Sequence, residues 1–173
     1  MASDMKTKLS TILLAIRQQL IDQNTFLPEN VYLSLRMNPP FHVQAEQYCV
    51  ITPVTQTFDE AFWEGGSRYD TLVRGRVQIY VRNRFAADQV YQDSAWLTDA
   101  TSGALDKLHS VMNALVSFQA PDISDNVQLE EPMRPVFCME PRKDLDNPEW
   151  GQAMVEFEIV YRLSLTIAPG VLE

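Results

Sequence analysis

Along residues 72–82 apolar and polar side chains alternate, with Val73, Val77, Ile79 and Val81 on one face and Arg74, Arg76, Gln78, Tyr80 and Arg82 on the other. A period of two predicts a half-buried strand. From Asp93 the period changes: Leu97, Thr101, Ala104, Leu108, Val111, Leu115 and Phe118 recur in steps of three and four, widened by Leu105 and Met112. This predicts a long helix over 93–118, capped by Asp93 or Ser94. A strand that feeds a helix folding back over it hides both apolar faces, so the expected core is a sheet with this helix on it.

The same reading places a first helix under Leu9, Ile12, Leu13, Ile16 and Leu20, ending near Asn24, and a short strand at 31–35. A second strand at 48–52 is expected to stop at Pro53 on a sheet margin, and a further strand is expected at 134–140. Residues 153–167 carry the cleanest alternation, with Ala153, Val155, Phe157, Ile159, Tyr161, Leu163, Leu165 and Ile167 on one face. Residues 55–70 mix Phe58, Phe62 and Trp63 with Gly65-Gly66, which suits a projecting loop or hairpin arm, and 122–147 reads as a long loop. The sum is one α+β domain over 1–173: a mostly antiparallel or mixed sheet with an N-terminal helix and a long central helix packed on one face.

Charge changes the picture. The chain carries 14 Lys/Arg against 23 Asp/Glu, a net charge of -9, which argues against a general nucleic-acid binder. The acidity is uneven: residues 1–86 hold nine basic and eight acidic side chains, residues 87–173 five and fifteen. Cys49 and Cys138 stand in apolar strand-like runs and are expected as reduced, buried thiols. The Leu9 to Ile21 stretch is interrupted by Arg17, Gln18 and Gln19, so no membrane span or signal peptide is expected and the cytosol is the expected place of synthesis.

Candidate chemistry is sparse. His42 and His109 have no ligand-type neighbours, Gly65-Gly66 lacks the Lys-Ser/Thr of a phosphate loop, and no Gly-x-Ser-x-Gly frames a nucleophile. The acidic run at 144–149 has Pro148 and lacks the glycine of a calcium loop, and Asp59, Glu60, Glu64 and Asp70 fit no ligand template. Catalytic, cofactor and metal sites are therefore expected to be absent. The strongest polar signal is the arginine face of Arg74, Arg76, Arg82 and Arg84, continued by Arg68. It can pair with Glu156 and Glu158 if their strands are neighbours, or meet the acidic half of another copy. Phe58, Phe62 and Trp63 are candidate anchors for a partner.

The N-terminal amphipathic helix, the 72–82 strand leading into the helix to Phe118, and the closing Trp150-Gly-Gln-Ala-Met-Val-Glu-Phe-Glu-Ile-Val-Tyr-Arg-Leu-Ser-Leu165 strand together resemble the phage tail-terminator or tail-completion family. These are small acidic α+β proteins that cap the tail tube and join it to the head. The resemblance implies a non-enzymatic virion protein in the neck of a phage tail, a homo-hexameric ring, and contact with the tail-tube protein on one side and neck proteins on the other. DNA would pass through its bore without specific binding. A head-tail stopper, a tail-tube subunit and a small cytosolic enzyme are the alternatives. The chain is longer than compact members, with the excess at 55–70 and 122–147.

Overall fold

The computed structural model describes residues 2–35, 46–59, 62–63, 68–84, 103–116, 118, 129–143 and 150–166. Helix α1 (Ala2–Asp22) precedes strands β1 (Val31–Leu33), β2 (Gln47–Phe58), β3 (Phe62–Trp63) and β4 (Arg68–Arg84). Helix α2 (Ala104–Leu115) and strands β5 (Leu129–Lys143) and β6 (Trp150–Thr166) follow. The sheet order is β1-β2-β4-β6-β5, with β3 pairing β4. All neighbours are antiparallel except β1 and β2, which makes the sheet mixed.

The alternation of β4 and β6 sets the layers. Val73, Val77, Ile79 and Val81 lie opposite Tyr161, Phe157, Val155 and Ala153, and all are buried on the face that carries both helices. Gly75 sits among them because Ile159 fills its place: a Cβ there would stand 2.9 Å from the Ile159 Cγ1. Ile12, Ile16 and Leu20 of α1 and Leu108, Val111 and Leu115 of α2 complete the same core. α1 ends in a two-bond cap: the Asn24 N–H donates to the Ile21 carbonyl and the Thr25 N–H to the Leu20 carbonyl, with Asn24 at φ 53. That left-handed residue satisfies carbonyls the helix end would leave bare and turns the chain toward Phe26.

The long central helix expected at 93–118 is not present. α2 has 12 residues, and Gly103 ahead of it is extended at φ -63, ψ 135, so no helix passes through it. Val116 is likewise extended at ψ 128 and ends the helix before Phe118. A glycine is a poor helix residue and a serviceable N-cap, and the Thr-Ser-Gly preceding Ala104 is a start signal that the longer periodicity obscured. Residues 93–102 lie outside the described residues.

β2 does not stop at Pro53. The Ile51 carbonyl accepts the Ser34 N–H at 3.1 Å, so Ile51 turns its polar backbone toward β1, and by alternation Pro53 turns the same way. The proline's missing donor therefore costs the ladder to β4 nothing. A register shift between Pro53 and Thr55 then carries the strand on to Phe58. β5 contains the strand expected at 134–140 and extends it at both ends into the stretch read from the sequence as a long loop; Pro132, Pro135 and Pro141 are accommodated because it is an edge strand with repeated register shifts.

Candidate functional site

The sheet face away from the helices carries the polar side chains of β4 and β6. Arg76 lies directly opposite Glu158, and Gln78 opposite Glu156. Glu158 is the hub: its carboxylate accepts the Nε–H of Arg134 at 2.8 Å and the NH2 of the same guanidinium, and stands 3.5 Å from Arg76 and 3.9 Å from Arg74. Glu156 accepts from Gln78 at 2.8 Å and pairs with Arg76 at 3.4 Å. Arg74 also donates to Asp59 at 3.0 Å and faces Glu131 at 3.7 Å. The Asp59 carboxylate, by hydrogen bond and charge, pushes the Arg74 pKa above its ordinary value.

Three arginines thus meet four carboxylates within one chain, and the cross-strand pairing open from the sequence is present. Arg134 is a member the sequence reading missed, because only the β5 register brings it beside Glu158. Glu158 is 7% exposed and so depends on these partners, whereas the arginines are more open to solvent.

The other candidate residues separate in space. Arg82 is not on a solvated surface: it is 3% exposed, with its guanidinium 5.7 Å over the Trp150 ring, and Trp150 stacks edge-on with Tyr48. Arg84 is exposed at the end of β4, where its N–H donates to the Glu46 carbonyl. Arg68 pairs through its backbone with Thr166, and Phe62 and Trp63 with Asp70 and Tyr69. Phe58 is 54% exposed at the end of β2. His42 and residues 144–149 lie outside the described residues, and His109 is exposed on α2. Among the described residues no group of three His, Cys, Asp or Glu could hold a metal ion. A cleft of about 390 Å³ beside the end of α1 has Lys107 as its single charged lining group, 5.7 Å from the Phe26 ring.

Cys49 is buried and free, and burial pushes its thiol pKa up; Cys138, expected to be buried, is exposed on β5. Cys138 lies opposite Val155 and so on the helix-bearing face, but at the outer strand of the sheet. Beside it stand Val136 and Phe137, the latter 56% exposed. Leu33, Leu35, Val54 and Phe58 are exposed on β1, β2 and the residues following β1, at the opposite edge.

The fold and these groups define an α+β protein whose polar face carries an ion-pair network and which exposes apolar side chains at both edges of one sheet, as well as at Leu14, Leu27 and Val116 on and beside the helices. No family model and no curated protein matches the chain. Among solved structures it is similar to a chain described as "Virion of native gene transfer agent (GTA) particle". The two share 13% identity at a TM-score of 0.47, over 90% of this chain and 98% of that one.

Proposed function

We propose that this protein is a structural subunit of a phage-like virion, assembling as a ring at the head-proximal end of a tail, where it terminates the tail tube and joins it to the neck. The observation that carries the reading is the placement of exposed apolar side chains at opposite edges of one sheet: Leu33, Leu35, Val54 and Phe58 at one end, Val136 and Phe137 at the other. A subunit of a cyclic ring needs two different, mutually complementary patches, and patches at opposite ends of a sheet are placed for that. A copy count of six comes from the family resemblance. Phe58 belongs to one contact edge, and the hairpin of β3 on β4 extends the sheet beyond it as a further surface for neighbouring rings. Arg74 and Arg76 serve the proposed subunit by holding β4, β6 and β5 in register.

The test is sedimentation of the purified chain, alone and with tail tubes. A species of several times the monomer mass, or co-sedimentation with tubes, is the expected result. A folded monomer that never joins either overturns the proposal.

A further inference from the structure

The sheet ends in β5 on one side and, on the other, in β1 and the part of β2 that runs beyond it, and these edges differ in how open their backbones are. β5 is blunted by Pro132, Pro135 and Pro141 and by register shifts, and its longest unbroken pairing with β6 is the three residues Phe137, Cys138 and Met139. β2 is open. β1 covers it as far as Ile51, and the stretch 54–58 has β4 on one side and, among the described residues, no strand on the other. The Asp59 N–H donates to the Leu72 carbonyl of β4. Since ladder bonds alternate, Thr57 and Thr55 also turn toward β4, and Gln56 and Phe58 turn their N–H and C=O outward. Val54, Thr55, Thr57 and Phe58 are exposed. An uncharged, proline-free edge whose outward backbone groups have no partner among the described residues is a template for another strand.

We infer that residues 54–58 of β2 pair with residues 136–139 of β5 in the neighbouring copy, joining the sheets of successive subunits into one; this rests on the ring reading above. Three observations select that occupant. β2 carries no charged residue from Gln47 to Phe58, nor does β5 over 136–139, so these edges can meet without like-charge repulsion in a chain of net charge -9. β5 runs antiparallel to β6, β6 to β4 and β4 to β2, so β5 runs opposite to β2. Copies related by rotation about a ring axis therefore present antiparallel strands to each other, the better-bonded arrangement. The proline-free stretch of β5 also matches the open stretch of β2 in length, bounded by Pro135 and Pro141 on one strand and by Pro53 and the arm on the other.

Gln56 lies opposite Gly75 and Cys138 opposite Val155, both on the helix-bearing face, so Gln56→Cys in one copy would neighbour Cys138 of the next. Mild oxidation of assembled Gln56→Cys protein should give a ladder of covalent oligomers on a non-reducing gel. Wild type and the Gln56→Cys/Cys138→Ser double variant should give none. A covalent dimer that survives loss of Cys138 means β2 meets β2, and assembled Gln56→Cys protein without a ladder puts the contact elsewhere; either overturns the inference without testing whether the protein assembles. A wild-type chain that never exceeds monomer mass overturns both. As an independent arm, Gln56→Pro removes the outward N–H without touching the β4 ladder. It should leave the melting temperature unchanged and weaken self-association about tenfold or more. Unchanged association overturns the inference, and loss of folding overturns the assignment of the Gln56 N–H to the outer edge.

Discussion

Tyr161 offers the sharpest energetic test of the core. It lies in β6 between Val73 and Leu129, is 1% exposed, and its hydroxyl finds no hydrogen-bond partner among the described residues. Burying a hydroxyl without a partner costs about 1–3 kcal/mol, while the ring contributes like any large apolar side chain. Tyr161→Phe keeps the ring and removes the cost, so it should raise stability by about 1 kcal/mol at neutral pH. With a urea slope of roughly 2 kcal/mol/M for a domain of this size, the midpoint should move up by about 0.5 M. The effect should also depend on pH. Burial pushes the phenol from its ordinary value of 10 up to about 12, so the folded state holds the proton more tightly than the unfolded chain. Stability from that source is complete below pH 10 and is lost as pH rises toward 12. The advantage of the phenylalanine variant should therefore widen over that window. Urea titrations of both proteins at pH 7 and pH 10.5 supply the four midpoints. A variant less stable than wild type by 1 kcal/mol or more would mean that the hydroxyl has a partner, such as an internal water, and the reasoning fails.

Leu108 is buried at the centre of α2, and Leu108→Ala should cost about 2–5 kcal/mol in denaturant midpoint, while Asp106→Ala on the exposed face changes little. Glu158→Gln removes the charge on which Arg74, Arg76 and Arg134 converge, and thermal melting should show a loss of about 1–3 kcal/mol with the fold retained. Asn24→Gly should melt within a degree or two of wild type, whereas Asn24→Val, which resists a positive φ, should cost about 1–2 kcal/mol. Thiol titration of native protein should find Cys138 at once and Cys49 only after unfolding, for a total of two.

What could be read from the sequence follows from where periodicity is a sufficient cause. β4 and β6 are half-buried and regular, so Val73, Val77, Ile79, Val81 and the 153–163 face were correctly placed from alternation alone. α1 was legible for the same reason, through Ile12, Ile16 and Leu20. The errors arise where a single backbone decision overrides a pattern. Gly103 interrupts a helical stripe that would otherwise run on, and Pro53 sits harmlessly in a strand because its nitrogen faces outward, which depends on register. Of β5 only 134–140 is strand-like in the sequence; three prolines and bulges hide its length and its register, and with the register the pairing of Arg134 with Glu158, the exposure of Cys138 and the edge at Val136 and Phe137. Of the arginine face, the pairing with Glu156 and Glu158 was foreseeable from two alternating strands, but the burial of Arg82 against Trp150 needed the pairing of Arg84 with Trp150 at the end of the ladder.

The placement of charge bears on how an acidic chain could assemble. Copies carrying -9 each repel, but exposed charges more than about 8 Å apart are largely screened at physiological ionic strength. What decides association is therefore the charge inside the contact. Arg74, Arg76 and Arg134 are already bonded to Asp59, Glu131, Glu156 and Glu158 of their own chain, so recruiting them to a neighbour's acidic surface would require breaking pairs of equal kind. The open edge of β2 has no charge to neutralise, and its outward backbone groups at Gln56 and Phe58 have no partner among the described residues. Salt separates the two modes of assembly. A contact made by strand pairing and apolar side chains holds or tightens as ionic strength rises, because added salt only screens the general repulsion. A contact made by the arginine face would weaken steeply.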